Sequence, residues 1–315
     1  MPSSPASAAA PKQTVSGWWL LGIAMALVAV LSSSVRPILI KLSYGLGAEP
    51  VTLLALRMVF SLPFFLAAAL WSRRDAARTP ISARDWALLA GLGVVGHYAA
   101  SFLDFLGLQY VSAGVGRLLL FLYPTVVVLL SWAFLRKRIG PREIGALLLT
   151  YAGVAMVVSR GLAGANADLP LGAALVFGSA VCYAVYLVAG SQVIRRVGSV
   201  RFTAYATMVA CFACIAQFAA VRPLSALDLP LEVYGLAFAM AALCTVLPIF
   251  LTAEALRRIG ANHVALLGAL GPVSAIGLGW LGLEEVLTGV QVLGAVLVLA
   301  GVMLVTVGRP AARPR

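Results

Sequence analysis

The chain has 315 residues, 62% of them hydrophobic and 11% charged, with a mean hydropathy of +1.01. Soluble domains carry about 45–50% apolar and about 25% charged residues, so water is not the main solvent here. The formal net charge of +12 raises nucleic acid as a partner, but the basic residues are distributed by loop, which excludes that reading.

A helix needs about 20 apolar residues to cross a hydrocarbon core about 30 Å thick, and the sequence offers ten such windows. Residues 1–16, with Lys12, read as a cytoplasmic tail. The apolar run after Lys12 is too long for a cleavable signal, so Lys12 to Arg36 bounds the first helix. The second window is Val51 to Trp71, interrupted by Arg57; the third lies between Asp85 and Asp104 and the fourth between Arg117 and Arg136. The fifth, Ile144 to Ser159, is short and needs flanking residues to cross. Asp168 to Arg195, Arg201 to Arg222, Glu232 to Glu254, His263 to Glu284 and Glu285 to Arg309 bound the sixth to the tenth. Residues 309–315 form a second basic tail. Trp18, Trp19, Trp71 and Trp86 fall at span ends and read as interfacial anchors. All four cysteines, Cys182, Cys211, Cys214 and Cys244, fall inside windows, so they form no disulfide framework, and the pair Cys211 and Cys214 reads as packing.

With the N-terminus inside, the basic groups Arg73-Arg74, Arg136-Lys137-Arg138, Arg195-Arg196, Arg257-Arg258 and Arg309 are all cytoplasmic. The opposite side holds Lys41, Arg160 and Arg222, together with the acids Asp168, Asp228, Glu232, Glu284 and Glu285. The excess of positive charge therefore expresses the positive-inside rule, with both termini in the cytoplasm. This pattern predicts a multi-pass protein of the inner (cell) membrane, with the lipid bilayer as its partner and no nucleic acid.

Displacing the chain by 148 residues aligns Leu108 with Leu256, Ala113 with Ala261, Pro124 with Pro272, Trp132 with Trp280, and Ala152-Gly153-Val154 with Ala300-Gly301-Val302. A proline, a tryptophan and a triplet at one ungapped offset point to duplication. The repeats are expected at 17–158 and 168–308. Five helices per repeat is an odd number, so the second copy must enter from the side opposite to the first, and the two are inverted. The loop Arg136-Lys137-Arg138 and its counterpart Glu284-Glu285 have opposite signs, as inversion requires.

These residues carry a resemblance. The segment Gly107-Leu108-Gln109-Tyr110-Val111-Ser112-Ala113, its partner Ala255-Leu256-Arg257-Arg258-Ile259-Gly260-Ala261, and the stretches Pro124 to Val158 and Pro272 to Val305 resemble the EamA-type members of the drug/metabolite transporter superfamily. The family glutamate after the fourth helix of each repeat is matched by Glu285, whereas the first repeat has Lys137. The resemblance covers nearly the whole chain. It implies an all-α membrane fold of ten helices around a central cavity, alternating access, and transport of amino acids, related metabolites or drugs, often outward.

Charges inside spans are costly, at about 2.5–3.5 kcal/mol at a helix centre, and each needs a reason. Arg36, Arg57, Asp104 and Arg117 all fall in the outer part of the first repeat and are expected at one depth. Three arginines against one aspartate leave a positive cluster suited to a substrate carboxylate or phosphate; the alternative is snorkelling of Arg36 and Arg117 with a structural pairing of Asp104. His97, in the middle of the third window, is a candidate proton relay or substrate ligand. With no second ligand at suitable spacing it predicts no metal, and no cofactor is expected. Tyr98, Tyr123, Tyr183, Tyr186 and Tyr205 form an expected aromatic set, since buried hydroxyls need partners and favour a cavity over lipid. Glu254 is a candidate for proton coupling, set against a local ion pair with Arg257 and Arg258 three and four residues on. Prolines 37, 63, 124, 248 and 272 are expected to interrupt helices, and the matched pair Pro124 and Pro272 marks candidate gating elements.

The expected function is a secondary transporter, and an exporter, of small amino-acid-like or anionic metabolites. The sequence contains no G-x-x-x-x-G-K-[ST] loop for ATP-driven pumping. The competing class is an intramembrane enzyme, a lipid transferase or protease, which would need more than His97 with Ser32-Ser33-Ser34. The chain is expected not to be an enzyme. A homodimer is compatible with the pattern.

Overall fold

A computed structural model of the chain describes residues 17–76, 81–135, 139–160, 168–268, 270–283 and 288–307, and the elements it forms there are all helical. The first half comprises α1 (Gly17–Gly45), α2 (Pro50–Ala76), α3 (Ala83–Gly93), α4 (Ala100–Gly107), α5 (Ala113–Leu120), α6 (Tyr123–Leu135) and α7 (Pro141–Arg160). The second comprises α8 (Leu169–Val197), α9 (Ser199–Val221), α10 (Leu231–Ala241), α11 (Leu247–Gly268), α12 (Leu270–Leu283) and α13 (Gly289–Val307). Among the described residues, seven runs are long and apolar enough to cross a membrane, and Leu270–Leu283 and Val292–Leu304 are shorter apolar helices. With α7, whose 20 residues include the flanks its short apolar window needed, they follow one another in the order of the ten windows. The charged segments Arg136-Lys137-Arg138 and Glu284-Glu285 and both tails lie outside the described residues.

Local chemistry sets the ends. Ser82 caps α3 by accepting the Asp85 N–H at 3.1 Å, and Ser112 caps α5 by accepting the Val115 N–H at 3.2 Å. Gly47 and Gly198 turn the chain after α1 and α8 with φ of +87° and +89°, a conformation open to glycine at little cost.

Three features depart from simple continuous spans. A π-helical segment, Val94–Ala99, joins α3 to α4, and another, Ala242–Val246, joins α10 to α11. Their first residues are 148 apart, the repeat offset, so the widened turn belongs to the repeat itself. The second segment leads into Pro248, and a widened turn is one way to relieve the carbonyl clash a proline imposes. The fourth span is broken at Phe121-Leu122 between α5 and α6. In the second half the residues equivalent to the loop after α4 remain helical, and α11 runs on to Gly268. Pro37 and Pro63 lie inside α1 and α2 and do not interrupt them as expected, whereas Pro124 directly follows the break in the fourth span. Pro124 sits in the first turn of α6, where a missing N–H costs nothing.

The halves pack as equivalents. α7 runs along α13 and α2 along α9, each element of the first half against its own counterpart, and α5 packs against α12, the counterpart of its neighbour α6. α1 lies against α11 and α12, mirrored by α8 against α4 and α6; α10 on α2 is mirrored by α3 on α9. A contact pattern unchanged when the halves are exchanged is the signature of a two-fold axis, and an odd number of spans per half lays that axis in the membrane plane.

Lipid tails give helices no hydrophobic reason to associate, so contacts rest on close packing of small residues. A Cβ on Gly107 would stand 2.5 Å from Val176 Cγ2, and one on Gly172 would stand 2.6 Å from Tyr110 Cβ, which brings α4 and α8 together. A Cβ on Gly153 would stand 2.5 Å from Gly294 O and 2.8 Å from Val298 N, both backbone atoms of α13. Replacing Gly153 by leucine is expected to force α7 from α13 and destabilise the protein by about 1–3 kcal/mol. Thermal denaturation followed by size-exclusion chromatography measures this; a melting temperature equal to the wild type contradicts it.

Candidate functional site

The charged residues of the first half converge. Arg36 Nη2 donates to Asp104 Oδ2 at 2.8 Å, joining α1 to α4, with the two side chains 20% and 5% exposed. Arg57, on α2 and 2% exposed, donates to Ser101 Oγ at 3.0 Å and stacks over the Phe105 ring at 5.0 Å. Arg117, in the last turn of α5 where the helix dipole favours a cation, donates to Ser33 Oγ at 3.2 Å. Ser101 and Asp104 lie on one face of α4, three residues apart, as Ser33 and Arg36 do on α1, so the three arginines occupy one level. Ser34 adds the second half: its hydroxyl lies 2.7 Å from Val30 O and 3.0 Å from Gly271 O at the start of α12. Gly271 also lies against Arg117, since a Cβ there would stand in van der Waals contact with Arg117 Nη2 at 3.4 Å.

The guanidinium groups are incompletely satisfied. The Nε atoms of Arg36, Arg57 and Arg117 and the Nε2 of His97 are buried with no hydrogen-bond partner. Buried polar atoms almost always have partners, and the three arginine Nε atoms that lack one belong to residues tied to the same turns of α1 and α4. Arg117, His97, Ser101 and Tyr183 are nonetheless half-buried rather than sealed.

Beside the arginines runs an aromatic ladder. Tyr123, at the start of α6, meets Tyr183 edge-on at 5.1 Å; Tyr183 stacks on Tyr186 at 6.1 Å; Tyr186 meets His97 at 4.6 Å and stacks on Phe202 at 5.3 Å. Tyr186 reaches this position over Gly96, where any Cβ would collide with its ring. Arg117 is within Coulombic range of Tyr123 and Tyr183, and Tyr183 within range of Arg36. Two expected members stand elsewhere: Tyr98 stacks on Phe102 at 6.2 Å, and Tyr205 packs on Trp86 at 4.9 Å.

Glu254 is not part of this site. Its carboxylate is forked by Arg257 at 2.6 Å and Arg258 at 2.7 Å, and Arg258 lies over the Trp18 ring at 3.8 Å. Arg258 packs at the level of Gly22 on α1, and Arg36 is fourteen residues further along that helix, about 21 Å away. Pro124 follows the break in the fourth span that brings Tyr123 beside the cluster, and Pro272 follows Gly271, which receives Ser34. Sequence reading passed over Ser33, Ser34 and Ser101 as binding partners and Gly96 as a seat for Tyr186. Small residues one turn from a buried charge are the signal that could have found them.

Comparison with known proteins follows the same lines. A model of the EamA-like transporter family matches residues 20–159 and again residues 170–307. The chain belongs to the EamA-like transporter family. It is similar to the uncharacterized transporter YcbK of Bacillus subtilis, 31% identical over 296 residues that span 91% of this chain and 92% of that protein. It is also similar to the threonine/homoserine exporter RhtA of Salmonella typhimurium, 30% identical over 290 residues and 90% of each. A solved crystal structure matches with a TM-score of 0.61 over 90% of this chain and 96% of the other, at 20% identity, and carries the likeness of fold. An EamA-like protein of this architecture is a multi-pass membrane transporter, and its substrate is a small molecule.

Arg36→Gln leaves Asp104 buried without its partner and is expected to cost up to about 3 kcal/mol, whereas Arg36→Gln with Asp104→Asn recovers at least half of the loss. A double-mutant cycle on thermal stability in detergent checks this; additive losses would show that the two residues do not act as a pair.

Proposed function

We propose that this EamA-like protein is a secondary transporter that exports small amino-acid-like or anionic metabolites by alternating access of its two repeats. The observation that carries the reading is the level of Arg36, Arg57 and Arg117 around one aspartate, with buried N–H groups that have no partner. A charge held at membrane depth is retained for pairing or for a ligand, and here the pairing is incomplete. The substrate site comprises Arg36, Arg57, Asp104 and Arg117, lined by His97, Tyr123, Tyr183 and Tyr186. Tyr98 is left out because its ring is stacked on Phe102. The proposed cavity lies between the repeats, at 17–158 and 168–308, in the inner membrane with both termini cytoplasmic, an orientation that the loop charges support. Outward transport is supported by the name of RhtA, an exporter covered along 90% of its length.

The break between α5 and α6, with Pro124 beside it, supports a gating role for that discontinuous helix, and Pro272 holds the equivalent position at the repeat offset. Glu254 has the role of a local surface fork in this proposal, because both of its oxygens are engaged by neighbouring arginines.

The test is a comparison of metabolites in medium and cytosol between cells with and without the chain, followed by flux of the leading compound in vesicles. Loss of accumulation in the medium is expected when the chain is removed, and no difference across a broad panel would contradict export. Arg57→Ala and Arg117→Ala are each expected to raise the apparent KM at least tenfold, and an unchanged KM for an anionic compound would remove the arginines from the site. Glu254→Gln is expected to keep the wild-type pH profile of flux; a flattened profile would restore it as a coupling group.

A further inference from the structure

Building on the reading of the arginine level as the transport site, we infer that it selects ring-bearing organic anions, with a carboxylate at the arginines and the ring on the tyrosine ladder, and discriminates against zwitterions.

Charge decides the first half of this. Arg36, Arg57 and Arg117 bring three positive charges, and Asp104 brings one negative charge that is already given to Arg36 with its side chain 5% exposed. Arg57 and Arg117 have serine hydroxyls as hydrogen-bond partners, and each keeps a buried Nε–H with no partner. A substrate carboxylate supplies the acceptors that these donors lack, in charge-assisted bonds that guanidinium geometry suits well. An α-amino acid carries its ammonium two bonds from the same carboxylate. Bound at the arginines, that ammonium lands among like charges, and the one nearby carboxylate is engaged. Leaving a cation so placed costs affinity, in the way that unpaired or repelled charges set specificity at other sites.

The shape of the site decides the second half. Tyr123 stands six residues beyond Arg117, across the break between α5 and α6, and begins the ladder through Tyr183 and Tyr186 to His97. Tyr183 is a rung within Coulombic range of both Arg117 and Arg36, and it is half-buried, with surface left to contact a ligand. A flat ring joined to a carboxylate by a short linker spans from guanidinium to rung, and aromatic rings gain from stacked or edge-on contact with one another. The opposing force is attraction of an ammonium to the tyrosine faces; it acts on one side of the ligand, against three guanidinium charges on the other.

The test uses four compounds on one skeleton with the purified full chain. They are 3-phenylpropanoate, phenylalanine with its added ammonium, phenethylamine without the carboxylate, and propanoate without the ring. Binding is read by ligand-induced thermal shift in detergent, and transport by counterflow in vesicles. Expected is half-saturation by 3-phenylpropanoate at a concentration at least tenfold below that of phenylalanine or propanoate, with no shift from phenethylamine. Arg117→Gln is expected to abolish the preference for the anion and Arg117→Lys to restore part of it. Tyr183→Leu is expected to remove the advantage of the ring while leaving propanoate unchanged; the ligand-free melting temperature of each variant controls for folding. Phenylalanine binding as tightly as 3-phenylpropanoate, propanoate matching it, or no shift from any of the four overturns the inference. Counterflow of phenylalanine in preference to 3-phenylpropanoate overturns the inference and leaves the transporter reading intact. Binding in the expected order without counterflow supports the inference and counts against the transporter reading.

Discussion

Three guanidinium groups withdrawn from water around a single carboxylate set the terms for the outer part of the first repeat. None of them can be left to the hydrocarbon, so each must be met by a neighbour, and the neighbours fix the helices. The Arg36–Asp104 pair locks α1 to α4, Arg57 locks α2 to the same helix, Arg117 locks α5 to α1, and Ser34 carries the tie to α12. Apolar packing alone is a weak guide to register in lipid, because a leucine is as comfortable against a lipid tail as against a neighbour. The polar cluster supplies the register. Its donors outnumber its acceptors, and the surplus leaves a buried Nε–H without a partner on each of the three arginines.

Around this level the helices are interrupted at repeated places. The π-helical turns in the third and eighth spans stand at one repeat position, and His97 and Tyr98 lie on the first of them. The fourth span is divided just before Tyr123. Backbone bonds are already displaced at these points, so a bend there breaks fewer of them than a bend elsewhere in a span would. The irregular backbone sits against protein, in line with the rule that broken helices at membrane depth line interior space.

The architecture was legible in the sequence because its signals are large. Uncharged windows, loop charges and a repeat offset held without gaps each read on many residues together. The clustering of Arg36, Arg57, Asp104 and Arg117 was legible too, since span position converts to depth at a fixed rise per residue. What position along a helix does not give is the direction of a side chain relative to a neighbouring helix. Tyr98 and Tyr205 lie in spans like the other tyrosines yet join Phe102 and Trp86 instead of the ladder. The prolines misled for another reason: a proline in an apolar run fits an interrupted helix, a continuous one and a newly begun one equally well, so Pro37 and Pro63 lie inside α1 and α2 while Pro124 follows a break between residues of ordinary helix propensity. The π-helical turns have no compositional mark at all.

Exchange of the halves leaves the packing unchanged, but it does not leave the chemistry unchanged. At the repeat offset, Asp104 corresponds to Thr252, His97 to Thr245 and Arg117 to Ala265. Two separate copies of one repeat, paired about the same axis, would carry every ionisable side chain twice and face like charge with like charge across it. Joining the copies in one chain lifts that requirement. One half is then free to concentrate charge while its twin keeps the matching shape without it, so a symmetric frame encloses lopsided electrostatics.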